Sequence, residues 1–103
     1  DGLALSSRNA YLSPGDRVRA VALPGALTAI REAFARGERD ASALVRRGTE
    51  VLRAAGVVDV DYLAIVDPAS LEPLAEAATG TVVLLAARVG TTRLLDNAVL
   101  GIP

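Results

Sequence analysis

The chain has 103 residues, 51% of them hydrophobic, and a formal net charge of −1. That is enough for one small core, too apolar for disorder and too neutral for general nucleic-acid binding. All eleven basic residues are arginine, and there is no lysine, histidine or cysteine, which excludes Schiff-base chemistry, an imidazole base, thiol chemistry and disulfides on this chain.

Residues 1–14 form the one stretch that reads as chemistry rather than packing. Ser6, Ser7, Arg8 and Asn9 lie between the apolar Leu3-Ala4-Leu5 and a helix start at Ser13-Pro14. Adjacent hydroxyls, backbone N–H groups and a planar guanidinium suit phosphate or carboxylate oxygens. The bland alternative for the Ser-Ser-Arg tripeptide alone is a polar turn before a helix. Asn9 fits a local backbone role better than a ligand role, and Tyr11 and Leu12 read as core anchors.

Ser13 can cap a helix, Pro14 suits its first position, and Asp16 falls in the first turn. Val18, Leu23, Leu27, Ile30 and Phe34 then recur at near-helical spacing up to Gly37. Pro24 interrupts this run, because it lacks an N–H and its ring clashes with the carbonyl of Ala20. The expectation is a kink near residues 20–23 or two helices in tandem. Asp40 is the next cap. Ala41, Leu44, Val45, Gly48, Val51, Leu52 and Ala55 trace one helical stripe that ends at Gly56.

Residues 57–66 read as a strand stopped by Asp67-Pro68. Residues 69–78, broken by Pro73, read as a short turn of helix and then loop. Thr79-Gly80 is a turn, 81–88 a strand, Gly90-Thr91-Thr92 a tight connection, and 93–100 the returning antiparallel strand. This order gives an α+β fold, with two main helices packed on a three-stranded antiparallel sheet. Val82, Leu84 and Ala86 point to one face, and Val83, Leu85, Ala87 and Val89 to the other. Helices cover only one face. The second faces a partner or another domain, or is covered by 69–78.

The opening residues carry a resemblance. Leu5-Ser6-Ser7-Arg8-Asn9, with Asp1-Gly2-Leu3-Ala4 before it and Tyr11-Leu12 after it, resembles the start of the C-terminal domain of the pantothenate synthetase (pantoate–β-alanine ligase) family. In that family the segment does the work of the KMSKS loop of class I aminoacyl-tRNA synthetases. Val60-Asp61-Tyr62-Leu63 with Asp67, and the run from Ala86 to Asn97, look like the family's later strands, in the expected order.

The resemblance implies an ATP-dependent ligase that condenses pantoate with β-alanine through a pantoyl adenylate, a step of pantothenate biosynthesis on the way to coenzyme A. It implies a single domain over residues 1–103, the lid of a two-domain enzyme. The N-terminal Rossmann-like domain, with its HIGH-type histidines and pantoate pocket, is absent from this chain. By resemblance, Leu5, Ser6, Ser7 and Arg8 bind ATP. The hydroxyls serve phosphate oxygens, Arg8 the triphosphate charge and Leu5 an apolar contact.

The same likeness implies ATP with Mg2+ as cofactor, held mainly by the absent domain. It implies ATP, pantoate, β-alanine and that domain as partners, and a homodimer at full length. Neither nucleic acid nor membrane is expected as a partner: no apolar run approaches the ~20 residues of a membrane span. The lack of cysteine and of a signal-like segment fits a cytoplasmic protein. No catalytic group is expected on this chain alone, and the isolated chain is expected to be inactive. Asp16, Asp59, Asp61 and Asp67 have no paired spacing suited to a metal. Arg88 and Arg93 read as solvated charges flanking a turn. Asp96 and Asn97 belong to the closing motif without a physical argument for catalysis. The alternative of another class is a non-catalytic module that docks a partner through its apolar sheet face.

Overall fold

The computed structural model describes residues 13–101. Three helices, α1 (Pro14–Ala20), α2 (Ala22–Ala35) and α3 (Ala41–Ala54), precede three strands, β1 (Val60–Val66), β2 (Val82–Val89) and β3 (Thr92–Val99). The α+β architecture is the expected one, with helices on one face of an antiparallel sheet of order β1-β2-β3.

The Ser13 hydroxyl accepts from the Asp16 backbone N–H at 3.1 Å and caps α1. Of the two outcomes Pro24 allowed, the chain takes the split, and α1 and α2 meet at Val21. Pro24 then lies in the first turn of α2, where a missing N–H costs little. Val21 N–H to the Arg17 carbonyl and Gly25 N–H to the Val21 carbonyl, both 3.3 Å, carry the chain across the junction.

Leu23, Leu27, Ile30 and Phe34 are buried as expected, whereas Val18 is 74% exposed because it lies on the short α1, outside the α2 stripe. Past α2, Gly37 has φ +110°, and Glu38 N–H bonds back to the Ala33 carbonyl at 3.0 Å. Such a left-handed terminus is cheap only for glycine. Arg39 stacks 3.8 Å from the Phe34 ring centroid and donates to the Phe34 carbonyl at 2.7 Å.

Asp40 caps α3 by accepting from Ser42 N–H at 3.1 Å. Ala41, Leu44, Gly48 and Leu52 are buried. Ala55, expected on the same stripe, is exposed because it follows the last helical turn. A β-carbon at Gly48 would lie 2.8 Å from Ile30 Cδ1 and 2.9 Å from Leu63 Cδ2. Glycine therefore lets α3 approach both α2 and β1 more closely than any side chain permits.

Strand β1 begins at Val60 rather than at Val57. Val57 is buried at 2% exposure, but it enters the core from the turn after α3. The β1–β2 register slips between Val60 and Tyr62, which places a bulge at Asp61. The expected helical turn after Asp67 is limited to one i→i+4 bond, Leu71 N–H on the Asp67 carbonyl at 2.8 Å. The Asp67 carboxylate accepts from the Ala69 and Ser70 N–H groups, each at 2.9 Å, and Leu71 then adopts φ 61°. A leucine there leaves the right-handed helical region altogether.

The segment next pairs along β1, with Leu74 N–H on the Ile65 carbonyl at 2.9 Å. It then reaches Arg39 and Ala41 beside the start of α3. This course takes it towards the helical side. Tyr62 and Leu95, on the other face, stay 41% and 57% exposed. Val83, Leu85, Ala87 and Val89 of β2 join Ile65, Leu94 and Ala98 in the core against the helices.

Candidate functional site

The residues singled out as ATP contacts, Leu5, Ser6, Ser7 and Arg8, lie outside the described residues, as do Asn9, Tyr11 and Leu12. What the structure places is the end of the domain to which their segment is joined. Ser13 begins α1 there, and the β2–β3 turn lies beside it. The Asp16 carboxylate pairs with Arg19 and sits against Gly90.

On the open sheet face at this end, Arg88 and Arg93 are direct cross-strand neighbours. Two like charges in that position repel. Asp61, projecting from the bulge in β1, answers both. Its carboxylate accepts from Arg93 Nε at 2.7 Å and lies 3.6 Å from Arg88 Nε. The hydrogen bond from Arg93 outweighs burial and holds the Asp61 carboxyl below the ordinary aspartate value. The two arginines are therefore not simply solvated charges. Sequence reasoning missed Asp61, although strand alternation places Arg88 opposite Arg93 and so calls for a counter-charge. The cluster keeps one net positive charge, and the Arg88 side chain is 56% exposed. This donor set suits an anion and supplies no base.

Asp67 is also held low, chiefly by the Ser70 and Ala69 N–H groups. For Asp61 and Asp67 alike the folded value is depressed. Their contribution to stability is present above the ordinary carboxylate range and is lost as pH falls through the folded value.

Asp96 behaves oppositely. It lies on the core side of β3 between the buried Leu94 and Ala98. Burial pushes its carboxyl above the usual value, and the Asn97 N–H at 2.8 Å offsets only part of that. A raised folded value means that ionised Asp96 opposes folding. The cost is fully present above the folded value and vanishes below the unfolded one. Asp96→Asn, which keeps the shape and the acceptor oxygen, is expected to raise the melting temperature at neutral pH. In melts across pH, the advantage should shrink towards about pH 4, the ordinary aspartate range. An advantage independent of pH would contradict this.

The groove of about 460 Å³ along α2 is lined by Arg31, Phe34, Arg39 and Gly101 among others. It lies at the far end of β3 from the Gly90 turn, so it is no part of this site. Among the described residues, no group of three or more acidic side chains is placed to hold a metal ion, and no helix is long and apolar enough to cross a membrane.

The fold agrees with what comparison with known proteins finds. The sequence model of the family described as pantoate-beta-alanine ligase matches residues 1–99. The pantothenate synthetase of Anaeromyxobacter dehalogenans is 63% identical over 97 residues, which cover 94% of this chain and 33% of that protein. A bifunctional pantoate ligase/cytidylate kinase of Gloeobacter violaceus is 50% identical over 101 residues, 98% of this chain and 20% of that protein. The crystal structure of pantothenate synthetase from Thermus thermophilus superposes with a TM-score of 0.87 at 45% identity, covering 94% of this chain and 35% of that one.

The chain belongs to the pantoate–β-alanine ligase family. It spans about a third of the length of the pantothenate synthetases it matches.

Proposed function

We propose that the chain is the ATP-contacting C-terminal domain of a pantothenate synthetase, and that the whole protein joins pantoate to β-alanine at the expense of ATP. The observation that carries this reading is the family match over residues 1–99, together with 63% identity to a pantothenate synthetase. In the proposed reaction a pantoate carboxylate oxygen attacks the α-phosphorus of ATP, and the bond to the β-phosphate breaks. Pyrophosphate leaves, and pantoyl adenylate forms. The β-alanine amine then attacks the acyl carbon and loses a proton as AMP departs, giving pantothenate.

Charge stabilisation and exclusion of water matter more in such a step than a base on this domain. The absence of histidine and lysine from the chain is compatible with that division of labour. Ser6 and Ser7 are proposed to donate to phosphate oxygens, Arg8 to neutralise the triphosphate, and Leu5 to make apolar contact. ATP is proposed to enter with Mg2+, held by an N-terminal domain of the full-length protein. The whole protein is proposed to be a cytoplasmic homodimer. The net positive charge of the Arg88–Asp61–Arg93 cluster supports an anion at this end.

The test is AMP release by the full-length protein carrying this domain. Formation of AMP that requires both pantoate and β-alanine is the expected result, with none from the isolated 103-residue chain. Full-length protein without pantoate-dependent pyrophosphate release, or turnover by the isolated chain, would overturn the reading.

A further inference from the structure

The segment that carries Arg8 is continuous with α1 through Ser13, and α1 has little apolar anchorage. Of its seven residues only Ala20 is buried. One buried alanine cannot fix the direction of a helix by hydrophobic contact. Backbone bonds through Val21 tie its C-terminal end to α2, and polar contacts seat the rest. The Asp16 side chain is only 17% exposed, although it lies in the first turn of a surface helix. Its carboxylate pairs with Arg19 across one turn and presses on the β2–β3 connection at Gly90.

A β-carbon at Gly90 would stand 3.0 Å from Asp16 Cγ and overlap a carboxylate oxygen, and φ there is +61°. Glycine is therefore required twice over, by backbone and by space. One turn further along the same face of α1, the Arg19 stem lies against the turn after α3, where a β-carbon at Gly56 would be 3.6 Å from Arg19 Cδ. The two members of the ion pair thus seat α1 against two turns that belong to the body of the domain.

We propose that Asp16 is a positioning residue for the ATP-dependent step: its pair with Arg19, seated between the Gly90 and Gly56 turns, sets the direction of α1 at Ser13, the point at which the segment carrying Arg8 joins the domain. The inference rests on the reading that Ser6, Ser7 and Arg8 contact ATP. Asp16 itself touches no substrate. A first-turn aspartate also favours its helix electrostatically, so the test must separate helix stability from the placement of Arg8.

The experiment uses the full-length enzyme and follows pyrophosphate release with thermal melts in parallel. Asp16→Asn keeps the size and removes the charge that holds Arg19. It is expected to slow release about tenfold and to raise KM for ATP while KM for β-alanine stays unchanged. Arg19→Gln should do the same, the double variant should be no worse than either single one, and Arg19→Lys should recover part of the loss. In an Arg8→Ala background, Asp16→Asn should add no further loss. Wild-type release in Asp16→Asn, a loss fully additive with Arg8→Ala, or a loss that tracks a fall in melting temperature would each overturn the proposal. Wild-type release in Arg8→Ala alone would instead remove the ATP-contact reading beneath it.

Discussion

Replacing Arg8 by alanine in the full-length enzyme is expected to slow the ATP-dependent step by roughly 10- to 150-fold, at about 1.4 kcal/mol per decade. A guanidinium on phosphate makes charge-assisted and often bidentate bonds, each contributing about 1.5–3 kcal/mol. Arg8→Lys keeps the charge but loses the fork, so it should fall between wild type and alanine. A contact made to ATP adds nothing to the folded domain without ATP, so stability should change by no more than about 0.5 kcal/mol. Pre-steady-state pyrophosphate release, with a parallel melt, measures both. A slow variant that also melts early would assign Arg8 to structure rather than to ATP.

Gly48→Val is expected to destabilise the domain by about 3 kcal/mol, the upper part of the range for overpacked cores. Even the first added carbon would meet Ile30 Cδ1 and Leu63 Cδ2 inside 3.0 Å. Ile30 is fully buried, and valine adds two further carbons beyond the one that already presses on it. Gly48→Ala presses only on the ends of two flexible side chains. The gain of about 1 kcal/mol in helix propensity opposes that strain, so the net change should stay within about 1 kcal/mol. Thermal melting resolves the pair readily, since each kcal/mol moves a domain of this size by about 4–8 °C. A valine variant as stable as the alanine one would mean that α3 can move off α2 at little cost.

The helices were legible where local chemistry and burial agree. Asp40 signalled its cap, and Leu44, Gly48 and Leu52 signalled the buried side of α3. Pro24 announced a break, but not its form, because the choice between kink and split depends on how Val21 meets the next turn. The segment after Asp67 signalled its turn but not where the turn ends. An aspartate accepting from N–H groups two and three residues on resembles a helix cap, and only the positive φ of Leu71 ends the resemblance. A leucine gives no warning of that conformation. At the site end, the i,i+3 spacing of Asp16 and Arg19 was readable. Their seat against Gly90 was not, since it joins residues 74 positions apart.

Each strand of the sheet pairs only with its neighbour in the chain, and α2 packs on the helix that follows it. The α2–α3 and β2–β3 connections are short and cost little chain entropy to close, whereas β1 reaches β2 only across residues 67–81. The β2–β3 hairpin, turning through Gly90 and Thr91, belongs to a class of element that forms in about 1–10 μs. Nothing in that zipping waits on α1, which adds one alanine to the core. The rate at which the hairpin forms and the direction of α1 are therefore written in separate parts of the chain. Changes around Asp16 can retune the second while leaving the first untouched.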